Sequence, residues 1–153
     1  MTAASGTKLI AENRRARFDY ELLERLEAGL VLSGTEVKAA RAGKVTLAGA
    51  YAEVRGGEAW LVGASFDEYE GARSGHEPGR DRKLLLHRRE IDSLYGKVRE
   101  RGLTLVPTRM YFKDGRAKVE LALARGRERI DKRRAIAERD AKRQVERALR
   151  RRR

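Results

Sequence analysis

The sequence predicts a mainly β fold, an OB-fold-like antiparallel β-barrel with peripheral α-helices and a basic C-terminal tail. Two observations favour the barrel: several short segments alternate apolar and polar residues, and two pairs of these segments flank glycine-containing turns. A third observation defines the tail, because the chain beyond Gly126 is rich in Lys and Arg and has few large apolar residues. The strand pattern leaves a split α+β sandwich open as an alternative.

Residues 18–32 are interpreted as the first long strand, because apolar residues occupy nearly every second position and only Glu24 interrupts them. A helix is the weaker alternative, and it is supported by the spacing of Leu22, Leu23 and Leu26. The alternation then stops, and a short helix is expected next. Its signals are a capping residue, a basic last turn and a glycine stop, at Thr35, Arg41 and Gly43.

Two hairpins are predicted in the body of the chain. The first joins residues 51–54 to 59–62 through Arg-Gly-Gly-Glu, and the second joins 108–112 to 117–124 through Lys-Asp-Gly-Arg. In the second hairpin Val119, Leu121 and Leu123 should face one way, and Lys118 and Glu120 the other. Pro107 indicates an edge strand or a bulge because proline donates no hydrogen bond to a ladder.

Between the hairpins, residues 63–82 hold several glycines and no sustained period, so we expect a long surface loop. Residues 87–102 follow as the strongest amphipathic helix of the body, with Gly102 as its stop. Its apolar positions are Ile91, Leu94, Tyr95 and Val98.

Charge is concentrated at the C-terminus. The 153-residue chain has a net charge of +13, and residues 125–153 contribute +9 of it, with 14 Lys and Arg against five Asp and Glu. Such clustering points to a polyanionic partner, most often nucleic acid. We therefore predict an OB-like RNA-binding barrel over residues 1–124 and a tail over 125–153 that is disordered when free and helical when RNA surrounds it.

Other compartments and partners are less favoured by the composition. The chain has no cysteine, no signal-peptide pattern and no apolar run long enough to span a bilayer, so we expect a soluble cytoplasmic protein without a membrane partner. A membrane-active tail is the weakest hypothesis because its apolar stripe is thin. That stripe consists of Ala137, Ala141, Val145 and Leu149.

Catalytic patterns are weak. The two histidines, His76 and His87, fall on the predicted loop and at a helix start, where solvation or capping is the usual role. No spacing of His, Asp and Glu resembles a metal site. The Ala-Gly-Lys-Val segment at 42–45 lacks the upstream glycine and the following Ser or Thr of a phosphate-binding loop. We predict no enzyme, no catalytic residue, no metal and no cofactor.

Three basic clusters of the body favour phosphate binding. They consist of Arg14, Arg15 and Arg17; of Lys38, Arg41 and Lys44; and of Arg80, Arg82 and Lys83. Aromatic residues are few and absent from the tail, so stacking of a single strand there is not expected. Recognition of the shape and backbone of a folded RNA fits better.

The chain resembles a known family along nearly its whole length. The matching segments are "AENRRARFDY", "EAGLVLSGTEVKAARAGKV", "GEAWLVGASFDEYE", "RKLLLHRREIDSLYGKVRERGLTLVPTRMYFKDGRAKVELALARG" and "DKR". They are similar to the SmpB family, the SsrA-binding proteins that work with transfer-messenger RNA (tmRNA) to rescue stalled bacterial ribosomes. The resemblance implies an RNA-binding adaptor that delivers tmRNA for trans-translation and peptide tagging.

The resemblance also implies which residues act. An OB-like barrel would grip the tRNA-like domain of tmRNA through Asn13, Glu27, Lys38, Arg41, Lys44, Lys83 and Leu85, and Arg14 and Arg15 complete the predicted RNA-binding set. The tail would enter the mRNA channel of the small subunit and reach the decoding site. Its predicted ribosome-binding residues are Asp131, Lys132, Arg133, Arg139, Lys142, Arg143 and Arg147.

Further partners are implied only through the RNA, namely elongation factor Tu and alanyl-tRNA synthetase. Phe18 and Ile130 depart from the family pattern, which often has His at the first position and His or Tyr at the second. Two rival hypotheses are an RNA-modifying or RNA-cleaving enzyme with a basic tail, and a structural ribosomal protein.

Overall fold

The structure is a computed structural model that describes residues 7–68, 77–126 and 129–151. Within these ranges the chain forms nine strands and four helices. In chain order they are β1 (Thr7–Glu12), α1 (Ala16–Asp19), β2 (Tyr20–Leu30), α2 (Gly34–Arg41), β3 (Val45–Thr46), β4 (Tyr51–Arg55), β5 (Glu58–Val62), β6 (Ser65–Phe66), β7 (Arg82–Leu85), α3 (Arg88–Arg101), β8 (Thr104–Lys113), β9 (Arg116–Gly126) and α4 (Arg129–Arg151).

The main sheet closes on itself. Its strand order is β1-β8-β4-β5-β7-β2-β9, and β8 also pairs with β9, so six strands form a ring to which β1 is added. The pairings are antiparallel, and β3 and β6 form a separate small antiparallel pair. This ring of strands with peripheral helices confirms the mainly β antiparallel prediction.

The core fills the inside of the ring. Leu61, Met110 and Leu121 are fully buried there, and α3 packs Ile91 and Leu94 against them. The predicted alternation of β9 is confirmed, since its three inward residues at 119, 121 and 123 are at most 1% exposed while Lys118 and Glu120 are half-buried on the other side.

The first long strand is confirmed over Tyr20–Leu30, and the helix alternative is wrong for this segment. The predicted start is also wrong, because Phe18 belongs to α1. A bulge at Leu23 divides the strand: Leu22 pairs with Ala124, and Glu24 pairs with Leu123, the next residue of β9.

The bulge changes the face that the alternating residues of β2 occupy, and Glu24, directly after it, accepts a hydrogen bond from Lys97 of α3 at 2.8 Å. An extra residue in one strand moves the following side chains to the opposite face. Before the bulge, Tyr20 and Leu22 pack on a small outer cluster that includes Ala122, whereas after it Leu26 and Ala28 pack on the main core. The apolar positions that appear continuous in sequence therefore serve two faces.

Both hairpins are confirmed, with strands one residue longer than predicted in the first and several residues longer in the second. The turns place Gly56 and Gly57, and then Asp114 and Gly115, at positive φ, as two-residue hairpin turns require. The register of β8 shifts between Pro107 and the residue two positions later, so the bulge interpretation of this proline is right. The edge interpretation is wrong, because β8 pairs with β1, β4 and β9.

The start of one helix differs from the prediction, and the end of another agrees with it. The N-cap of α2 is Ser33 and not Thr35, because the Ser33 Oγ accepts from the Glu36 N–H at 3.4 Å and the Glu36 carboxylate accepts from the Ser33 N–H at 2.8 Å. The α3 prediction is confirmed, and Gly102 ends that helix in the left-handed conformation with φ of 64°.

The predicted surface loop over 63–82 is only partly a loop. It contains β6, whose Phe66 is fully buried, and it ends on the first residue of β7. Residues 69–76 of this prediction lie outside the described residues. The short β3–β6 pair is too brief to give a readable alternation in sequence.

The tail forms a helix, α4, of 23 residues. Side chains from position 136 to 150 are exposed, including Ile136, Val145 and Leu149. A contact to the body is made by Arg139, whose guanidinium carbon lies 4.4 Å from the ring centre of Phe18. No helix within the described ranges has the length and apolar character needed to cross a membrane.

Candidate nucleic-acid interface

Asn13 anchors one end of the candidate site where β1 leads into α1. Its backbone N–H donates to the Thr108 carbonyl at 2.8 Å, and its Nδ2 donates to the Pro107 carbonyl at 3.0 Å. A cleft of about 350 Å³ opens beside it, and Arg14 and Arg17 lie along its wall. Two predicted RNA-binding residues, Asn13 and Arg14, are thus brought together.

Carboxylates hold the cations of this cleft in place. Glu120 lies 2.9 Å from Arg109 and 3.7 Å from Arg25, and it accepts a hydrogen bond from the Thr108 hydroxyl at 2.9 Å. The predicted Arg15 does not line the cleft, and it pairs with Asp19 at 3.9 Å. Arg14 pairs with Glu12 at 3.5 Å but stays 89% exposed.

Glu27 occupies the middle of the site, on β2. It accepts a hydrogen bond from the Tyr111 hydroxyl, and the Lys113 Nζ lies 3.6 Å away. The hydrogen bond from Tyr111 is the main reason that the pKa of Glu27 is lowered, so the carboxylate is ionised at neutral pH. Burial, followed by the Glu27 contact, raises the pKa of Tyr111 to about 12.

Leu85 and Lys83 continue the surface onto β7, where Leu84 between them faces the core. Leu85 is 54% exposed for a large apolar side chain, and it covers Gly29, where an added Cβ would lie 3.1 Å from the Leu85 Cβ. Lys83 pairs with Glu58 at 3.1 Å. An exposed leucine beside a partly exposed lysine is suited to a partner that offers both an apolar ring and an anion.

These residues form one continuous surface, which we call the outer band. It is the outward side of β1, β8, β9, β2 and β7. Neighbouring concavities along it share residues: the first and second share Glu12 and Arg109, and the second and third share Glu27. Its predicted members are Asn13, Arg14, Glu27, Lys83 and Leu85.

The α2 cations lie beside the band at its β7 end. The Val31 N–H donates to the Lys83 carbonyl at 3.0 Å, and α2 begins three residues later. Lys38, Arg41 and Lys44 are exposed on the helix and its exit. These three cations therefore lie on or just after a helix that closely follows the residue bonded to the Lys83 backbone.

One predicted basic cluster is wrong in part. Arg82 is fully buried, and so is Glu36 of α2. The two side chains approach to 2.6 Å, and Arg80 also binds the Glu36 carboxylate. The other Arg82 donors go to the carbonyls of Ala64, Glu77, Pro78 and Arg80. Arg82 cannot contact a phosphate, because its donors are used internally.

The charge state of Glu36 follows from this network. Burial alone would raise its pKa, but hydrogen bonds from Arg80, the Ser33 N–H and Arg82 outweigh burial and lower the pKa to about 2. The Glu36–Arg82 ion pair connects α2 to β7. It therefore fixes the position of α2, which carries Lys38 and Arg41, relative to β7, which carries Lys83.

The tail residues are spread along α4. Arg139, Lys142, Arg143 and Arg147 are exposed. The side chains of Asp131, Lys132 and Arg133 lie outside the described residues, as do those of Ile130 and the loop histidine, His76. No group of His, Cys, Asp and Glu within the described part is arranged to hold a metal ion.

Comparison with known proteins gives the same family as the motifs. The sequence model of the family described as "SmpB protein" matches residues 10–151. The chain belongs to the SmpB family. Among SmpB relatives, it is 58% identical to the "SsrA-binding protein" of Parafrankia sp. (strain EAN1pec) over 150 residues, covering 97% of this chain and 95% of the relative.

Further SmpB comparisons agree. The "SsrA-binding protein" of Thermobifida fusca (strain YX) is 58% identical over 149 residues, covering 97% of this chain and 93% of the relative. A chain in the solved structure described as "tmRNA-SmpB: a journey to the center of the bacterial ribosome" matches with a TM-score of 0.66 and 50% identity, covering 82% of this chain and 93% of that chain. The SmpB resemblance predicted from the motifs is confirmed.

Sequence reasoning missed several residues of the outer band. Arg109, Tyr111 and Lys113 line it from β8. Trp60 of β5 lies next to the band, as the cross-strand partner of Lys83. The available signal was the period of two in the β8 segment, where the inward residues Met110 and Phe112 alternate with these outward ones.

Proposed function

We infer that this SmpB-family chain is a non-enzymatic RNA-binding protein that acts with tmRNA in trans-translation on the ribosome. The observation that carries the inference is the family match over residues 10–151, together with 58% identity to an SsrA-binding protein across nearly the full length of both chains. Its partners are tmRNA and the ribosome, so it acts in the bacterial cytoplasm.

We propose that the ring of strands is an OB-like barrel that makes residues 1–124 the RNA-binding domain. The closed antiparallel order of six strands, with α3 packed on its core, supports this proposal. Strand β9 continues two residues further, to Gly126, so the domain is best isolated by a cut after that glycine.

The outer band and α2 are proposed to bind the tRNA-like domain of tmRNA. Lys38, Arg41, Lys44 and Lys83 supply cations for phosphates, and Arg14 and Arg15 do so near Asn13. Ionised Glu27 accepts a hydrogen bond from a ribose hydroxyl or a base amino group. This contact requires a hydrogen-bond donor at the matching position of the RNA, and it does not depend on attraction between opposite charges. Exposed Leu85 packs against a sugar or a base face.

The tail is proposed to serve the ribosome. Beyond Gly126, α4 buries little apolar surface, so we propose that it unfolds readily when free and stays helical when the RNA of the mRNA channel neutralises its charge. A helix of 23 residues spans about 35 Å at 1.5 Å per residue. Asp131, Lys132 and Arg133 lie near the decoding site, and the cations from Arg139 to Arg147 follow the channel. Elongation factor Tu and alanyl-tRNA synthetase meet the protein through tmRNA.

The proposal is tested by separating body from tail. Full-length protein and residues 1–126 are compared for binding to the isolated tRNA-like domain, with bulk tRNA in excess at near-physiological salt. We expect similar affinities for both, and loss of peptide tagging only for the truncated protein. Collapse of RNA affinity on truncation would make the tail a general electrostatic clamp. Turnover of labelled RNA would instead support the enzyme hypothesis.

A single-residue prediction tests the band. Lys83→Gln should weaken binding of the tRNA-like domain and reduce the slope of log affinity against log salt by about 0.7 to 0.9, the value for one phosphate contact. Arg88→Gln on α3 is the matched control, because Arg88 is 79% exposed and pairs with Asp92 outside the band. Equal effects of the two substitutions on affinity and slope would remove the band from the interface.

A further inference from the structure

A second concave surface lies between α3 and β4, away from the outer band. Tyr51 and Val54 of β4 and Tyr95 and Val98 of α3 form its mostly apolar walls, and its volume is about 260 Å³. Sites for drug-sized ligands span roughly 300 to 1,000 Å³. This groove is therefore of a size for one planar group or one side chain, and not for a helix.

Two tyrosine rings are exposed at this groove. Tyr51 is 39% exposed and Tyr95 is 44% exposed, which is unusual beside neighbours that pack on the core, such as Leu94. A tyrosine ring offers a flat apolar face for stacking together with a polar tip. The groove thus presents stacking surfaces that no other described element covers.

Arg99 adds a positive charge at the rim. Its guanidinium carbon lies 5.3 Å from the ring centre of Tyr95, and its Nη1 donates to the Tyr95 hydroxyl at 2.8 Å. Unlike Arg88 and Lys97 on the same helix, which pair with Asp92 and Glu24, Arg99 forms no ion pair with a carboxylate of the described residues.

The acidic residue of the groove is already compensated. Glu53, on the β4 side, lies 3.3 Å from Arg55. The uncompensated charge is therefore that of Arg99, a cation beside an apolar slot. A nucleotide matches this arrangement, because its base is a planar ring and its phosphate is an anion.

We propose that the groove between α3 and β4 binds an unpaired nucleotide of ribosomal RNA. The base stacks on the Tyr95 and Tyr51 rings, and the Arg99 guanidinium contacts the phosphate. A partner protein that inserts an apolar side chain would gain nothing from the charge of Arg99, so RNA is the better fit.

The position of the groove indicates which RNA it meets. In the six-strand ring, β4 lies three strands from β2 in either direction, so the groove opens opposite to Glu27. This step rests on the proposed function, in which the outer band holds tmRNA. An RNA bound at the opposite side, while the band is occupied, belongs to the ribosome.

A crosslinking experiment identifies the occupant. The photoreactive residue p-benzoylphenylalanine is introduced at position 95 of the full-length protein, which is assembled with tmRNA and stalled ribosomes and then irradiated. We expect the adduct on ribosomal RNA. An adduct confined to a ribosomal protein or to tmRNA would overturn the proposal, as would crosslinking that is no stronger than from a probe at Arg89 on another side of α3.

Binding measurements supply the second test. Tyr95→Leu should weaken binding of the protein–tmRNA complex to ribosomes by at least about fivefold, the lower end for one lost base stack, whereas Tyr95→Phe keeps the ring and should bind almost normally. Arg99→Gln should also weaken binding, and Arg89→Gln, the exposed control on the same helix, should not.

Binding of the isolated tRNA-like domain separates the two proposals. It should be unchanged in all four variants, because none of these residues lies on the outer band. Unchanged ribosome binding by Tyr95→Leu and Arg99→Gln would overturn the groove proposal and leave the proposed function intact. Failure of the unsubstituted protein to bind the tRNA-like domain would instead contradict the proposed function.

Discussion

At the scale of single residues, the Glu36–Arg82 pair has the largest expected effect on stability. Both side chains are fully buried, and the donors of Arg82 are divided between the Glu36 carboxylate and four backbone carbonyls. Removal of one partner from such a pair leaves an uncompensated buried charge, which is far more costly than the loss of a surface contact.

Glu36→Gln should therefore destabilise the protein by about 3 to 5 kcal/mol. Glu58→Gln is the matched control, since Glu58 is 48% exposed in its pair with Lys83 and exposed pairs contribute roughly 0 to 1 kcal/mol. Urea denaturation of both variants measures the difference. Similar midpoints for the two would show that the buried pair contributes no more than a surface pair.

The same carboxyl predicts a dependence of stability on pH. Folding lowers the pKa of Glu36 from 4.5 to about 2, so the unfolded chain binds this proton more tightly. The resulting stabilisation, about 3 kcal/mol by linkage, is complete above roughly pH 5 and is lost as the pH falls from about 4.5 towards 2. The difference in the free energy of unfolding between the unsubstituted protein and Glu36→Gln, measured at pH 6, 4 and 3, should narrow progressively towards the acid end. Parallel curves would contradict the assignment.

At the scale of elements, the predictions that succeeded rest on local chemistry. The Asp-Gly and Gly-Gly turns require positive φ, and both form where the sequence placed them. The predictions that failed depend on distant partners. No local sequence signal near Leu23 predicts a bulge, because the bulge depends on pairing with β9, about 100 residues away.

The candidate site shows the same limit. Arg82 has the sequence context of a surface cation, and its burial depends on a carboxylate 46 positions earlier on α2. The family motifs gave Asn13, Glu27 and Leu85. The period of two in β8 predicts that Arg109 and Tyr111 share a face, but their place in the site becomes evident only when the ring puts β8 and β2 on either side of β9. Sequence patterns predict faces of single elements, and long-range pairing decides which faces meet.

Two glycines of α3 give an element-scale prediction with opposite signs. Gly102 ends the helix at φ of 64°, where a side chain costs about 1 to 2 kcal/mol, so Gly102→Ala should destabilise the protein. Gly96 lies inside the helix with open space at its Cβ position, so Gly96→Ala should stabilise it by up to about 1 kcal/mol. Thermal denaturation of both variants tests the pair. A shift of the melting temperature in the same direction for both variants would show that backbone conformational preference does not determine their effects on stability.

At the scale of the whole molecule, the body and the tail differ in what holds them. The body encloses a core within its ring of strands, whereas α4 exposes its side chains from 136 to 150 and adds one stacked arginine on Phe18. Little apolar area is removed from water by the tail, so it contributes little to the free energy of unfolding.

Truncation after Gly126 should consequently leave the melting temperature within a few degrees of the full-length value. The exposed cation–π contact of Arg139 is expected to contribute about 0.5 to 1 kcal/mol. Arg139→Gln in the full-length protein is the control that isolates this contact. A large loss of thermal stability on truncation, beyond that of Arg139→Gln, would show that the tail packs on the body as a structural element.

Closure of the ring has a consequence for how the chain acquires its fold. The ring is completed by β2 and β9, and their ladder begins with Tyr20 paired to Gly126, the first residue of one strand to the last of the other. Contacts of such long sequence separation form late and make folding slow. During synthesis of the chain, β2 remains unpaired with β9 until almost the entire body has been made. A protein proposed to act on interrupted translation can therefore finish folding only when its own translation is not interrupted.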